Sequence, residues 1–381
     1  MTAMKERIPA EGFLPGDLIK DELEERGWTQ EDLAEILGRT TSAVNEIITG
    51  KRGITVDTAK GLGEALGTGA QFWLNMESAY RLSLERTRPE SVSRKAVLYE
   101  TAPIRAMIKR NWIESSTNIE VLEQRLREFF GTSDLSQIPP LNCMTRKSTE
   151  ELTPAQRAWL FRARNLAMAV HAEKYTKSRL NIALERLKDM RANEADIRLI
   201  PKVLADAGIR LLIIEPFPQS KIDGVSFWVN GSPVIALSLR YDRIDSFWHT
   251  LMHEIGHIKN EDGLIDNCII LDTDLFDEYN EDKPYEKAAD EFAVNFLVPQ
   301  KELNDFMARI QPMYSKSKIA GFANRIKVHP GIVIGQLHHR GKEQGGLDYS
   351  YGREMLVKVR HLITRSATTD GYGQILSVNL S

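Results

Sequence analysis

The spacing of apolar positions divides the chain into a helical part and a later part of mixed texture. Between residues 14 and 100, apolar residues recur at three- and four-residue intervals and the runs end at glycines, which predicts short helices joined by tight turns. The same spacing predicts a helical middle region over residues 91–207. Its longest helices are expected at residues 121–130, 154–175 and 180–190.

After Gly208 the pattern changes to short strand-like runs, beginning with residues 210–215. Residues 225–229 and 234–239 flank Asn230-Gly231, a dipeptide typical of two-residue hairpins. Helical spacing then returns at residues 244–259, 285–297 and 317–326, and the polar residues after Thr364 predict a loose end. The expected fold class is α+β: an all-α head, a helical middle region, and a small antiparallel sheet with accompanying helices.

Composition and charge narrow the class of protein. The 381 residues suffice for two or three domains, and 42% hydrophobic with 27% charged residues is the balance of a soluble globular protein. No apolar run approaches the ~20 residues of a membrane span, and the first residues lack the apolar core of a signal peptide. We therefore expect a cytoplasmic protein with no membrane partner. Two cysteines without CxxC spacing argue against thiolate zinc sites, and the net charge of −3 argues against strong non-specific binding to nucleic acid.

Three residues have the spacing of a helix-turn-helix. In this motif the first helix needs a small residue where the two helices cross, the turn needs a glycine, and the second helix needs an apolar anchor. Ala34, Gly38 and Val44 meet these three requirements in that order. The start of the second helix then presents short polar side chains to base edges or phosphates, with basic residues flanking it. The candidate DNA-binding residues are Arg39, Thr40, Thr41, Ser42, Asn45, Lys51 and Arg52. Spacing alone leaves a helical hairpin without a ligand equally open.

Longer motifs favour DNA binding. The Pro15-Gly16 pair, the LAEILG turn, and the segments NEIITGKRGIT and GTGAQFWLN lie within residues 14–82. This stretch resembles the HigA-type antitoxins of the Cro/repressor (XRE) helix-turn-helix family. The resemblance implies a DNA-binding domain over residues 14–90 that acts as a homodimer on a palindromic double-stranded DNA operator.

A second constellation, HEIGH, lies in an apolar helical segment. His253 and His257 are separated by four residues and project from one face of a helix, where they can hold a single ion. Glu254 is placed to deprotonate a water on that ion. Zinc is the natural occupant of such a site.

A catalytic zinc site needs a third protein ligand, for which Glu286 is the candidate. Glu286 opens the helix EKAADEFAVNFLVP and shares a face with Asp290, which we expect to orient a ligand histidine. Glu291 is rotated off that face and is expected in solvent. His249 lies one turn before His253 and is expected only to line the site.

The strands, the HEIGH helix and the ExxAD-FA-LVP helix together resemble the ImmA/IrrE family of zincin-like metallopeptidase domains. The resemblance implies a domain over residues 208–340, with His253, His257 and Glu286 as metal ligands and Glu254 as general base. Ala288 stands where relatives often have a second acidic residue. In the family-like run VHPGIVIGQL, His329 would donate to a tetrahedral oxyanion, or it caps a turn before Pro330. Residues 341–381 are expected to form a tail.

Three functional hypotheses remain open. One is a DNA-binding regulator of antitoxin type, whose zinc peptidase-like domain cleaves or senses a specific protein partner, a toxin or a regulator. Another is a toxin-neutralising antitoxin with an inactive zinc domain. The third is a peptidase whose helix-turn-helix binds protein. Glu254 favours the first over the second because a structural zinc site needs no base.

Overall fold

The computed structural model describes most of the chain. Its described residues are 13–84, 91–139, 141, 143–145, 152–218, 220–264, 269–273, 283–341 and 344–374. They fall into two compact units that divide between Ser93 and Arg94. Within the described residues, no helix combines the length and apolarity needed to cross a bilayer.

The first unit contains five helices among its described residues. They are α1 (Pro15–Arg26), α2 (Gln30–Ile36), α3 (Thr41–Ile48), α4 (Val56–Leu66) and α5 (Ala70–Leu84). Thr29 and Asp32 form the capping box that begins α2, and Gly38 makes the left-handed turn between α2 and α3 at φ +62°. Ala34 and Val44 are buried in the core of this unit, so the expected helix-turn-helix is confirmed.

The second unit contains the remaining helices and all the described strands. The helices are α6 (Ser91–Thr101, which begins at the unit boundary), α7 (Ile104–Lys109), α8 (Ile119–Phe130), α9 (Pro154–Ala169), α10 (Lys177–Met190), α11 (Ile200–Asp206), α12 (Ile244–Asn260), α13 (Pro284–Leu297), α14 (Gln300–Ile310), α15 (Lys316–Arg325), α16 (Pro330–Arg340) and α17 (Arg360–Ile363). The strands are β1 (Cys143–Thr145), β2 (Arg210–Ile214), β3 (Ile222–Val229), β4 (Ser232–Leu237), β5 (Ile269–Thr273) and β6 (Thr368–Asp370).

These strands form one mixed sheet in the order β1-β5-β3-β4-β2-β6. The hairpin of β3 and β4 around Asn230-Gly231 is confirmed, and the α+β fold class with it. The expected antiparallel sheet is wrong, because β2 runs parallel to both β4 and β6, and β1 runs parallel to β5. Parallel pairs arise here because long connections, rather than tight turns, join the paired segments.

Residues of β2 alternate between two apolar cores on opposite faces of the sheet. Leu212 belongs to the core that contains Trp159 of α9, whereas Ile213 belongs to the core that contains Trp248 of α12. Helices of the expected middle region therefore share a core with the sheet. The core on the other face of the sheet includes apolar residues of α12, the helix that carries the HEIGH segment.

The segment after Thr364 is part of the sheet as far as it is described, so the expected loose end is wrong there. β6 pairs with β2, and Asp370 forms a buried ion pair with Arg162. The backbone N–H of Tyr372 donates a 2.9 Å hydrogen bond to the carboxylate of Glu215. A three-residue strand carries almost no alternation pattern, and its partners lie far away in the sequence, which explains why local spacing does not predict it.

Candidate functional site

The HEIGH segment lies at the centre of the second unit. His253, Glu254 and His257 are all fully buried on α12. The two histidines turn the same ring nitrogen toward each other, with Nε2 of His253 and Nε2 of His257 3.0 Å apart. The helix therefore places both rings at one point, as their four-residue spacing predicts.

Glu286 of α13 completes the cluster. Its Oε2 lies 3.3 Å from Nε2 of His253 and 3.7 Å from Nε2 of His257. A tetrahedral zinc ion with bonds of about 2.0–2.1 Å holds its ligand atoms about 3.3–3.4 Å apart. The three separations in this structure average close to that value, so the donor set and its spacing fit a zinc ion.

The approach of α13 to α12 depends on small residues. A methyl group at Gly256 would lie 3.0 Å from Cα of Ala289, which is tighter than ordinary packing allows. Because Gly256 and Ala289 let the two helices approach closely, Glu286, one turn before Ala289, reaches the histidines. The glycine of HEIGH thus has a packing reason of its own.

Electrostatics keep the Glu286 carboxyl ionised. Burial alone would raise the pKa of this group, but hydrogen bonds from His253 and His257, and the positive charge of these imidazoles when they are protonated, hold the pKa below its ordinary value. A carboxylate in this position is the form that a metal ion binds.

Each histidine is fixed from behind by a second carboxylate. Nδ1 of His253 lies 2.7 Å from Oδ1 of Asp290, as the sequence predicts. Nδ1 of His257 lies 2.9 Å from Oδ2 of Asp262, which the sequence reasoning missed. When each Nδ1–H donates to its carboxylate, both Nε2 lone pairs point toward the common site.

Asp262 reaches His257 because of the way α12 ends. Glu261 adopts a left-handed conformation with φ +62°, and the backbone N–H of Asp262 donates to the carbonyl of His257. Nε1–H of Trp228 donates to the carbonyl of Asp262 at 2.9 Å. The available sequence signal was an acidic residue just beyond the helix end, five residues after a candidate ligand histidine.

His329 is held in a turn. Its Nδ1 accepts a 3.0 Å hydrogen bond from the backbone N–H of Gly331, and its Nε2 lies 4.0 Å from a carboxylate oxygen of Glu194. Burial lowers the pKa of His329 against the opposing charge of Glu194. These contacts favour the turn-capping alternative, and the oxyanion role stays a prediction.

Two other residues lie where the sequence places them. Glu291 is exposed on α13, off the face that carries Glu286 and Asp290. The ring of His249 lies 6.4 Å from the ring of His253, one turn earlier on α12, at the edge of the cluster. Within the described residues, the cluster of His, Cys, Asp or Glu that could hold a metal consists of His253, His257 and Glu286.

The candidate DNA contacts lie on or beside α3 of the first unit. Arg39 is partly buried; the exposed candidates are Thr40, Thr41, Ser42, Asn45, Lys51 and Arg52. The Thr40 hydroxyl accepts a hydrogen bond from the backbone N–H of Ala43 and so begins α3. The remaining side chains of this helix start are polar and accessible to a nucleic acid.

Two of the basic residues pair with carboxylates of the same unit. Nη2 of Arg39 lies 2.5 Å from Oδ2 of Asp57, and Nε of Arg52 lies 2.8 Å from Oε2 of Glu46. Both pairs are partly or largely exposed to solvent. A DNA phosphate that bound either arginine would have to compete with its carboxylate partner.

Family models match both units. Residues 19–73 match a helix-turn-helix model, and residues 205–340 match the IrrE N-terminal-like domain of peptidase family M78. Virulence-associated protein I of Dichelobacter nodosus is 38% identical over 92 residues, which cover 24% of this chain and 83% of that protein. The uncharacterized HTH-type transcriptional regulator YddM of Escherichia coli (strain K12) is 31% identical over 80 residues, covering 21% of this chain and 84% of that protein.

A solved structure of the Pseudomonas aeruginosa antitoxin HigA with the higBA promoter is 33% identical to the matching part. The match covers 24% of this chain and 98% of that chain, with a TM-score of 0.20. Through its first unit the chain belongs to the DNA-binding helix-turn-helix regulators, and it joins to that unit an IrrE-like domain of peptidase family M78.

Proposed function

We propose that this DNA-binding regulator acts as a homodimer on a palindromic operator and that its IrrE-like domain is a zinc-dependent peptidase. Its substrate would be one specific protein partner, a toxin or a regulator, rather than proteins in general. The observation that carries the proposal is Glu254, a fully buried carboxylate that follows His253 directly on the helix bearing both histidines of the cluster. A zinc site with only a structural role needs no such group.

The side chains of the site would have three roles, which are metal binding, orientation of the imidazole rings and proton transfer. His253, His257 and Glu286 would hold the zinc ion, while Asp290 and Asp262 fix the two imidazole rings. When bound, zinc polarises a peptide carbonyl and lowers the pKa of the water that it holds. Glu254 would accept the proton of the attacking water and pass it to the leaving amine.

The decisive test of the peptidase is Glu254→Gln. Glutamine keeps the shape of the side chain but cannot act as a base, so we expect cleavage of a co-expressed partner to stop while zinc content and operator binding stay unchanged. The readout is the intact and cleaved partner on a gel, with zinc measured by elemental analysis. If the wild-type chain cleaves no partner and Glu254→Gln leaves regulation unchanged, the inactive-antitoxin hypothesis replaces the proposal.

Elemental analysis also tests the ligand set. We expect one zinc ion per chain, and loss of zinc from Glu286→Ala after mild chelation. Glu291→Ala, on the exposed side of the same helix, is the matched control and should keep its metal. Full zinc occupancy in the Glu286→Ala protein would show that the third ligand is a different residue.

Operator binding is tested by two substitutions that separate base contacts from phosphate contacts. Asn45→Ala should cost about 1–3 kcal/mol at selected sequences, whereas Lys51→Ala should weaken all sequences alike and flatten the salt dependence. Sedimentation of the complex gives its stoichiometry, which we expect to be two chains per operator. If neither substitution changes binding to any DNA, the first unit does not recognise a DNA sequence.

A further inference from the structure

Gly224 occupies an unusual position for a glycine. It lies inside β3, where it pairs with Leu237 of β4 on one side and Asp272 of β5 on the other. Glycine weakens the interior of a strand, and it often marks a place where another group approaches the backbone closely. The φ angle of Gly224 lies outside the left-handed region, so backbone conformation does not require a glycine there.

The requirement is space on the side of the strand that faces α12. A Cβ atom at position 224 would overlap Oε1 of Glu254 and would lie 2.7 Å from Cγ2 of Thr250. Thr250 and Glu254 are one helical turn apart, so the same face of α12 packs on the strand at this point. The missing side chain leaves a recess that the Glu254 carboxylate occupies.

Neither side of this contact can easily move. Gly224 is paired with β4 on one edge and with β5 on the other, where the register is irregular between Ile222 and Gly224, and the two neighbouring strands restrain β3 from moving away. Glu254 is fully buried on a helix that is itself buried along most of its length, so its carboxylate has no solvent into which to retreat. An added methyl group would therefore displace the carboxylate.

We propose that Gly224 is a positioning residue, which sets the place of the proposed general base Glu254 by leaving room for it against β3. The inference rests on the proposed function and deepens it by naming what positions the base. The ligand histidines meet Glu286 and Asp290 of α13, whereas Gly224 meets the Thr250 and Glu254 positions of α12. A change at Gly224 should therefore affect the base while the ligand set keeps its metal.

Binding of acetohydroxamic acid to the zinc-loaded full chain tests this without a known substrate. A hydroxamate that chelates zinc gives up a proton, and a carboxylate beside the metal is placed to accept it. We expect Gly224→Ala to weaken acetohydroxamic acid binding by about tenfold, the size of one lost hydrogen bond to a charged group. Zinc content should stay unchanged.

Two further variants complete the binding experiment. Gly321→Ala is the matched control, because no atom lies within 4 Å of a Cβ built at that helical glycine, and it should bind as the wild type does. Glu254→Gln should lose at least as much affinity as Gly224→Ala. If Glu254→Gln binds normally, the proposed role of Glu254 fails; if only Gly224→Ala binds normally, the positioning role of Gly224 fails.

A stability measurement covers the case in which Gly224→Ala folds poorly. Gly224→Ala is made with Thr250→Ser, which removes the nearby methyl group, and is compared in the presence of Glu254 and of Glu254→Asp. The shorter aspartate withdraws from the strand, so the loss of thermal stability caused by Gly224→Ala should be smaller with Glu254→Asp. An equal loss in both backgrounds would overturn the proposal, since the strand would then not be shaped around Glu254.

Discussion

Each unit contains an Arg–Asp ion pair with the same nitrogen–oxygen distance of 2.5 Å, but in different surroundings. In the first unit, called the head below, Arg39 and Asp57 expose 24% and 88% of their side chains. In the second unit, Arg162 and Asp370 expose 4% and 1%. Burial raises the pKa of Asp370 although Arg162 lies against it. Ion pairs with the same distance therefore need not contribute equally to the free energy of unfolding, because solvent screens the exposed pair and not the buried pair.

The same contrast in burial holds for the two candidate functional sites. Most candidate DNA contacts on and around α3 are exposed, whereas the metal cluster of α12 and α13 is buried inside the second unit. Substitutions at the DNA surface should change binding with little effect on folding. Substitutions around the metal cluster should change stability and function together.

The largest expected effect is at the buried pair. Asp370→Ala removes the carboxylate that lies against the buried Arg162 guanidinium, which should destabilise the second unit by about 3–5 kcal/mol. Asp57→Ala, the matched change at the exposed pair, should cost less than about 1 kcal/mol in the head. Urea unfolding followed by hydrogen exchange in α9 and in α3 reports the two units separately. Equal losses would contradict the argument from burial.

The next largest effect concerns the carboxylates behind the ligand histidines. Asp262→Ala and Asp290→Ala should each lower zinc affinity by about 10–100-fold, because the imidazole rings lose the groups that orient them. Competition with a chromogenic chelator measures this. Asp206→Ala, at an exposed ion pair with Arg186, is the control and should leave zinc affinity unchanged.

A smaller effect of opposite sign is expected in the head. Asp57→Asn and Glu46→Gln release Arg39 and Arg52 for phosphate contacts, so operator affinity should rise a few-fold. The slope of log affinity against log salt should steepen by about 0.9 for each arginine that gains a phosphate. Glu35→Gln, an exposed change of the same charge on α2, controls for net charge. The same gain in Glu35→Gln would mean that pairing is irrelevant.

The smallest expected effect is a pH dependence of stability that is confined to the second unit. All eight histidines lie at or after His171, so none is in the head. Burial lowers the pKa of His329 and of His338 in the folded chain, with Glu194 opposing the shift at the first and the Tyr351 carbonyl at the second. The unfolded chain therefore binds protons first, and this stability is present above pH 6.5 and lost as pH falls through the folded pKa values.

Thermal unfolding between pH 7.5 and 5.5 should show this loss in the second unit and not in the head. His338→Gln keeps a donor for the Tyr351 carbonyl, which lies 2.8 Å from Nε2 of His338, but it does not titrate. This variant should reduce the pH dependence of thermal stability. Any loss of zinc in acid occurs in both proteins and so does not contribute to the difference between them. A pH dependence unchanged by His338→Gln would exclude His338 as a source.

Local spacing was enough to predict much of the site. The four-residue spacing of His253 and His257 and the helix that begins near Glu286 predict the cluster, because helical periodicity places those side chains on one face. Asp262 and Gly224 escape such reasoning. Asp262 acts through a left-handed turn beyond the helix end, and Gly224 acts through a contact between a strand and a helix about 30 residues apart in the sequence.

The fold shows the same division. The helix-turn-helix and the β3–β4 hairpin follow from short-range signals, namely glycine turns, a capping box and an Asn-Gly dipeptide. β1, β5 and β6 are three to five residues long and are stabilised by partners distant in the sequence. Their places in the sheet depend on tertiary packing, which a single sequence does not display.

The position of β6 also orders events during protein synthesis. The core of the first unit uses residues between Leu18 and Leu74, whereas Asp370 is added 208 residues after its ion-pair partner Arg162. At about 5–20 residues per second, the ribosome needs about 10–40 seconds to make that stretch. The first unit can therefore fold while the sheet of the second unit still lacks its edge strand, so the proposed operator-binding surface can form before the proposed peptidase is complete.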